Sequence, residues 1–335
     1  MTAAGARPVF HLPARDIPVP SSISEQAQAM LAMGPLMPYA EYPALDDRDA
    51  WRAMIAERES AVLTMLTAAR PGAPDAGPQA TQVDEIDAGG VPVYVVLPAG
   101  VSRDDRRVYL DIHGGAWIQG GGEVCRATAL RTAPMYGARV WAVDYRMPPD
   151  HPYPTPLVDC LATYRALLEQ RSPAEIIVGG TSAGGNLAAA LILRAREEGL
   201  PLPAALLLNT PATDLTGAGD TWQTNNGLDT VLTGDTRPAM LLYAAGIDLR
   251  TPYISPLFGD LTGFPPTMLT SGTRDRLLSD TVRMHRALRA AGVAAELHVA
   301  EAAGHGRFLG MAPEDRAMAE ETRRFLNQHW AAPAG

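Results

Sequence analysis

Only two cysteines occur in 335 residues, Cys125 and Cys160, and they form neither a C-x-x-C pair nor any recognisable metal or redox spacing. That scarcity excludes a disulfide-stapled scaffold and leaves two reduced thiols, packed as small apolar groups, as the expectation. Basic residues are in deficit, with 28 Lys plus Arg against 37 Asp plus Glu, a formal net charge of -9 and no Lys/Arg run. Nucleic acid and anionic lipid surfaces would be repelled by that average field, so neither is an expected partner. No run of about 18 apolar residues occurs, and Met1 to Pro20 lacks a basic segment followed by an apolar stretch. No membrane association is therefore expected, and the cytoplasm is the expected location. The patterns G-x-x-x-x-G-K-[ST], H-E-x-x-H and G-x-G-x-x-G are missing as well, so neither a metal nor an organic cofactor is implied. Internal repeats and low-complexity tracts are also lacking.

What is present is an ordinary globular composition, 47% hydrophobic and 19% charged, in a chain long enough for one large core with an insertion or lid. Residues 23–70 carry apolar side chains at helical spacing, among them Ala53, Met54, Ile55, Val62, Leu63 and Leu66, with Asp46 and Asp47 available as caps. The run Pro71-Gly-Ala-Pro-Asp-Ala-Gly-Pro78 then breaks any helix and marks a linker. Beyond it, short β-rich runs at 91–97, 108–112, 140–143, 176–178, 205–208, 267–270 and 295–299 alternate with helical stretches at 156–171, 184–198, 279–291 and 313–329. This alternation predicts a mostly parallel sheet with helices on both faces. Residues 210–266 are too many for a plain crossover and predict an insertion with a helix near 233–245. With the N-terminal helices it would form a cap over the carboxyl ends of the strands, where open α/β sheets bind ligands. The domain scheme is thus 1–75 as the N-terminal part of the cap, 80–210 and 265–335 as the catalytic domain, and 211–264 as the inserted part of the cap.

Residues 176–185 read Ile-Ile-Val-Gly-Gly-Thr-Ser-Ala-Gly-Gly, an apolar strand followed by a G-x-S-x-G turn, and a helical stretch follows. A serine at so sharp a strand-to-helix turn has a strained backbone, and the residues two before and two after it come too close for anything larger than glycine. Gly180 and Gly184 meet that need, which points to Ser182 as a nucleophile with the positive end of a helix at its back. One α/β unit upstream, the strand 108–112 ends in His113-Gly-Gly-Ala-Trp117. Glycines there let backbone amides approach a ligand oxygen, so Gly114, Gly115 and Ala183 are the expected oxyanion-hole donors.

His113-Gly-Gly-Ala-Trp117, Asp144-Tyr-Arg-Met-Pro-Pro-Asp-His-Pro-Tyr-Pro154 and Gly180-Thr-Ser-Ala-Gly-Gly185, in this order, resemble the bacterial hormone-sensitive-lipase family of esterases, specifically the subgroup with GTSAG at the turn. The resemblance covers residues 80–330. It implies the α/β-hydrolase fold with a helical cap, carboxylesterase activity, short-chain acyl esters as small-molecule substrates, and a homodimer. Two departures are visible: Ala116 stands where the family usually has a third glycine, and Thr181 where the larger subgroup has aspartate.

A serine hydroxyl needs a neutral imidazole to take its proton and a carboxylate to orient that imidazole, and in this fold the chain order is Ser, Asp or Glu, His. Of His11, His113, His151, His285, His298, His305 and His329, only His305 lies in a glycine-flanked loop just after the last strand. Asp275 follows the strand 267–270 and resembles the family's G-x-x-D-x-L motif. Asp280 is the competing carboxylate, read as a capping or surface charge of the next helix. Asp144 and Arg146 read as a buried pair supporting the oxyanion loop, and Met30, Met33 and Met37 as core or as the lining of a substrate tunnel. Lactone, amide or thioester hydrolysis would use the same triad, and a non-catalytic receptor on this fold is a rival that the presence of His305 and Asp275 disfavours.

Overall fold

The computed structural model describes residues 9–35, 41–67 and 81–330. The linker 71–78 and Met37 lie outside them. Two N-terminal helices, α1 (Glu25–Ala32) and α2 (Arg48–Thr67), precede β1 (Gln82–Asp87), β2 (Pro92–Leu97), β3 (Val108–Ile112), α3 (Glu123–Tyr136), β4 (Arg139–Val143), α4 (Thr155–Leu168), β5 (Ile176–Thr181), α5 (Ala183–Glu197) and β6 (Ala205–Asn209). The insertion holds the short α6 (Thr221–Thr224) and α7 (Arg237–Ala244), and the chain returns through β7 (Thr267–Gly272), α8 (Leu278–Ala290), β8 (Ala295–Ala300) and α9 (Pro313–His329).

All seven expected strands form. They join β1 in one eight-stranded sheet of order β1-β2-β4-β3-β5-β6-β7-β8, in which the β1–β2 and β2–β4 pairs are antiparallel and all the others parallel. Strands β3, β5, β6 and β7 are buried almost throughout, as a sheet covered on both faces requires. On one face Cys125, Ala129 and Ala133 of α3 meet Phe325 and Leu326 of α9. On the other, Leu157 and Tyr164 of α4, Leu187 and Leu191 of α5, and Met284 and Leu288 of α8 form the larger core.

Two elements escape the hydrophobic pattern. β1, Gln-Val-Asp-Glu-Ile-Asp, is a largely polar edge strand held by its ladder to β2. α3 carries Pro134 inside it and has little apolar periodicity, yet packing on the sheet makes it helical. The N-terminal helices dock on two separate loops. Ile23 and Ala27 of the α1 segment pack with Ala302, Ala303 and Phe308, while Trp51 and Ile55 of α2 pack with Ile118 and with Ala239 of α7. Asp47 caps α2 by accepting from the Ala50 amide at 3.1 Å, as expected. Met30 packs on the α1 cluster, whereas Met33 is exposed.

Candidate active site

Ser182 sits at the junction of β5 and α5 with φ 60° and ψ -118°, a conformation that costs an L-residue about 1 kcal/mol or more. The flanking glycines are sterically obligatory. A Cβ on Gly180 would lie 2.4 Å from the Gly184 backbone, and one on Gly184 would lie 1.8 Å from the Ile112 carbonyl oxygen. The turn is fastened by the Ser182 amide donating to Asn209 O at 2.9 Å and by Ala212 N donating to Ser182 O at 3.2 Å. The serine is thus fixed by backbone, and its side chain remains partly exposed.

The glycine loop after β3 runs directly beside it. A Cβ on Gly114 would meet Ser182 Cβ at 3.3 Å and the Thr181 carbonyl oxygen at 2.7 Å. Among the described residues the amides of Gly114, Gly115 and Ala183 donate to no protein acceptor. Three unspent donors therefore lie next to the serine, in reach of an oxygen that neither sheet nor helix supplies. Ala116 adopts φ 54° and Trp117 φ 62°, so the loop keeps a left-handed turn where the third glycine of the resembled motif would fall. His113 supports the loop: Nδ1 donates to Gly114 O at 2.7 Å, and the ring stacks on Tyr145 at 4.1 Å, whose hydroxyl donates to His113 O. Burial pushes the His113 pKa down to about 4, against the raising effect of that hydrogen bond, so the ring is neutral.

Asp275 and His305 lie beyond the ends of β7 and β8, the two strands that follow β6 in the sheet. Both are buried, and His305 Nδ1 is 3.1 Å from Asp275 Oδ1. The carboxylate is further held by the Leu277 amide at 2.9 Å and by the Ser271 hydroxyl, which donates to Oδ2 at 2.7 Å. Burial works against the charged imidazole, but the Asp275 charge and hydrogen bond, joined by the charge of Asp229, outweigh it and raise the His305 pKa above its usual value.

Sequence reasoning missed Asp229. Its buried carboxylate accepts from the His305 amide at 3.2 and 3.3 Å, Arg276 N at 2.9 Å, Val231 N at 2.9 Å and Leu232 N at 3.1 Å, tying the insertion to the loops that carry Asp275 and His305. Asn225, also in the insertion, donates to the carbonyls of Thr273 and Asp275. The sequence separation of 76 between Asp229 and His305 leaves no local motif to find.

Two expectations are corrected. Asp280 is not a surface charge: it is fully buried, accepts from Asp214 N at 3.0 Å and Trp222 Nε1 at 3.1 Å, and is pushed up to about 7 by burial. It fastens the insertion to α8 and makes no contact with His305. Asp144 and Arg146 do not pair. Arg146 reaches Asp159 at 2.7 Å with an exposed side chain, while Asp144 accepts from the Gly122 amide at 3.0 Å. Both lie beyond the end of β4, where the strand's alternation no longer governs them, and each takes a separate partner, Asp159 on α4 for Arg146 and the Gly122 amide at the start of α3 for Asp144. Cys125 and Cys160 are buried free thiols, as expected.

Comparison with known proteins agrees with the fold and identifies the family. Residues 109–309, more than half of the chain, match a family described as alpha/beta hydrolase fold. The chain is 36% identical over 211 residues to an acetyl-hydrolase of Streptomyces hygroscopicus, covering 62% of this chain and 70% of that one. It is 34% identical over 249 residues to the carboxylesterase NlhH of Mycobacterium tuberculosis, covering 70% and 76%. Among solved structures it is similar to the esterase E25, with TM-score 0.87, 36% identity and coverage of 96% and 99%. It is also similar to an esterase from the bacterial hormone-sensitive lipase family, with TM-score 0.76, 29% identity and coverage of 92% and 99%. The chain belongs to the α/β-hydrolase family, within its bacterial hormone-sensitive-lipase branch of esterases.

Proposed function

We propose that this carboxylesterase hydrolyses short-chain acyl esters of small molecules through an acyl-enzyme on Ser182, with His305 as base and then acid and Asp275 orienting it. The observation that carries this is the buried His305–Asp275 pair, 3.1 Å apart, at the same sheet edge as a strained serine beside three unspent amides. His305 Nε2 takes the Ser182 proton as Oγ attacks the ester carbonyl. The oxygen that becomes negative is received by the amides of Gly114, Gly115 and Ala183, each worth about 3 kcal/mol in such sites. His305 then protonates the leaving alcohol, and water, deprotonated by the same ring, hydrolyses the acyl-enzyme. The residues require no cofactor for this sequence of steps.

Residues 1–75 and 211–264 act together as a cap over the catalytic domain of residues 80–210 and 265–335. Support comes from α2 and α7, which meet each other and Ile118 of the oxyanion loop. Such a roof limits the acyl group, hence the short-chain preference. Turnover of p-nitrophenyl acetate that falls steeply with acyl length, and a single fluorophosphonate adduct on Ser182, are the expected results. A well-folded protein without turnover, or labelled elsewhere, would overturn the assignment. Lactone, amide and thioester substrates belong in the same panel, since the triad is common to all. A homodimer is the proposed assembly, tested by light scattering at micromolar concentration. The cytoplasm is the proposed location, tested by fractionation. No described helix is long and apolar enough to cross a membrane.

A further inference from the structure

Behind the oxyanion loop, three ligand-type side chains converge from three different elements. A ring nitrogen of His113 after β3, the thiol of Cys125 in α3 and a carboxylate oxygen of Asp144 after β4 all lie within 4.8 Å of one another. Their sequence spacing carries no metal signature; the sheet and α3 bring them together. His113 is 6% exposed and Cys125 1%. Because Nδ1 faces a carbonyl oxygen, which can only accept, it carries the ring proton and Nε2 is left with a lone pair. That Nε2 is buried and has no hydrogen-bond partner among the described residues. Among the described residues the Cys125 thiol has only a long 3.7 Å contact to the Val143 carbonyl. A buried lone pair without a donor is costly, and a cation would satisfy it.

The same cluster is reachable. Asp144 lines a cavity of about 390 Å³ between α2 and α3, whose other charged walls among the described residues are Glu59 and Glu123, with no basic residue among them. Glu123 is shared with Arg126 at 3.4 Å and is largely exposed. Three carboxylates make this an entry for cations. Imidazole, thiolate and carboxylate are a donor set for a thiophilic divalent metal, with a fourth position left for water. A tetrahedral Zn²⁺ holds its ligand atoms about 3.3–3.8 Å apart, so the cluster must close by roughly 1.5 Å at most.

We propose that His113, Cys125 and Asp144 bind one thiophilic divalent cation of the Zn²⁺ class, entering by the α2–α3 cavity, and that its binding slows turnover through His113. As the sulfur–metal bond forms, the Cys125 proton leaves to solvent through the cavity, the Nε2 lone pair and the carboxylate complete the protein ligands, and no oxidation state changes. The ring is drawn toward the metal while its Nδ1–H holds Gly114 O, so the loop beside Ser182 shifts with it. Binding is independent of the catalytic assignment; the effect on turnover rests on it, and the two are measured separately.

The full chain is titrated with Co²⁺, and esterase turnover is followed with added Zn²⁺. One equivalent of Co²⁺ should bind with a near-ultraviolet thiolate charge-transfer band, lost in Cys125→Ala and Asp144→Asn but kept in Cys160→Ala. Zn²⁺ should lower kcat about five-fold or more with KM little changed, and Cys125→Ala, with basal turnover intact, should be spared. Absence of the band, or its survival in folded Cys125→Ala, overturns the site. Equal inhibition of both proteins overturns the coupling and moves the inhibiting metal elsewhere, His305 included. Should Cys125→Ala fail to fold, Cys125→Ser and Asp144→Asn give the same readouts.

Discussion

The two halves of the candidate site are built by different physics. Around Ser182 the constraint is steric and local: two glycines four residues apart hold a strained turn because any Cβ would strike neighbouring backbone. Around His305 it is polar and long-range: Asp275, Ser271, Asp229 and Asn225, from segments spread over 80 residues of chain, form a buried hydrogen-bonded web. A steric turn tolerates no substitution but signals itself in sequence. A polar web is partly replaceable, and it is silent in sequence.

Changes on the serine side should therefore be abrupt. Ser182→Ala should lower kcat about 10⁴-fold or more with an unchanged melting temperature, and a smaller loss would mean another nucleophile. Gly184→Ala should cost about 3 kcal/mol or more in denaturant unfolding, because the new methyl would sit 1.8 Å from Ile112 O in an unmoved backbone. On the histidine side, losses should be graded and pH-dependent. In the native enzyme kcat/KM should rise with pH, since the protonated ring cannot accept the serine proton, with a midpoint above the ordinary imidazole value of 6.5. Asp229→Asn removes a charge that raises that value, so the midpoint should fall, with kcat/KM above it reduced about ten-fold. A role in folding alone would lower stability and leave the midpoint in place. The smallest effect is expected at Ala116→Gly. Relief of a left-handed residue, about 1 kcal/mol, is offset by a freer unfolded chain, so unfolding should change by less than about 1 kcal/mol.

The parallel strands and four of the sheet-covering helices were legible because apolar runs buried on both faces read as continuous. β1 and α3 were not, because a polar edge strand and a proline-bearing helix owe their form to neighbours rather than to pattern. Asp280 was misjudged for a related reason: a carboxylate in the first turn of a helix looks like a cap or a solvent-facing charge until the insertion folds back over it.

By itself, the order of residues determined the serine turn, the glycine-rich loop and the succession of strands and helices, since each depends on steric or hydrophobic rules acting within a few residues. Only the tertiary structure decided that Asp229 would brace the histidine loop, that α2 and α7 would meet over the oxyanion loop, and that His113, Cys125 and Asp144 would share one pocket. Those depend on which chain segments the sheet order brings side by side, and on buried polar groups finding partners far away in sequence.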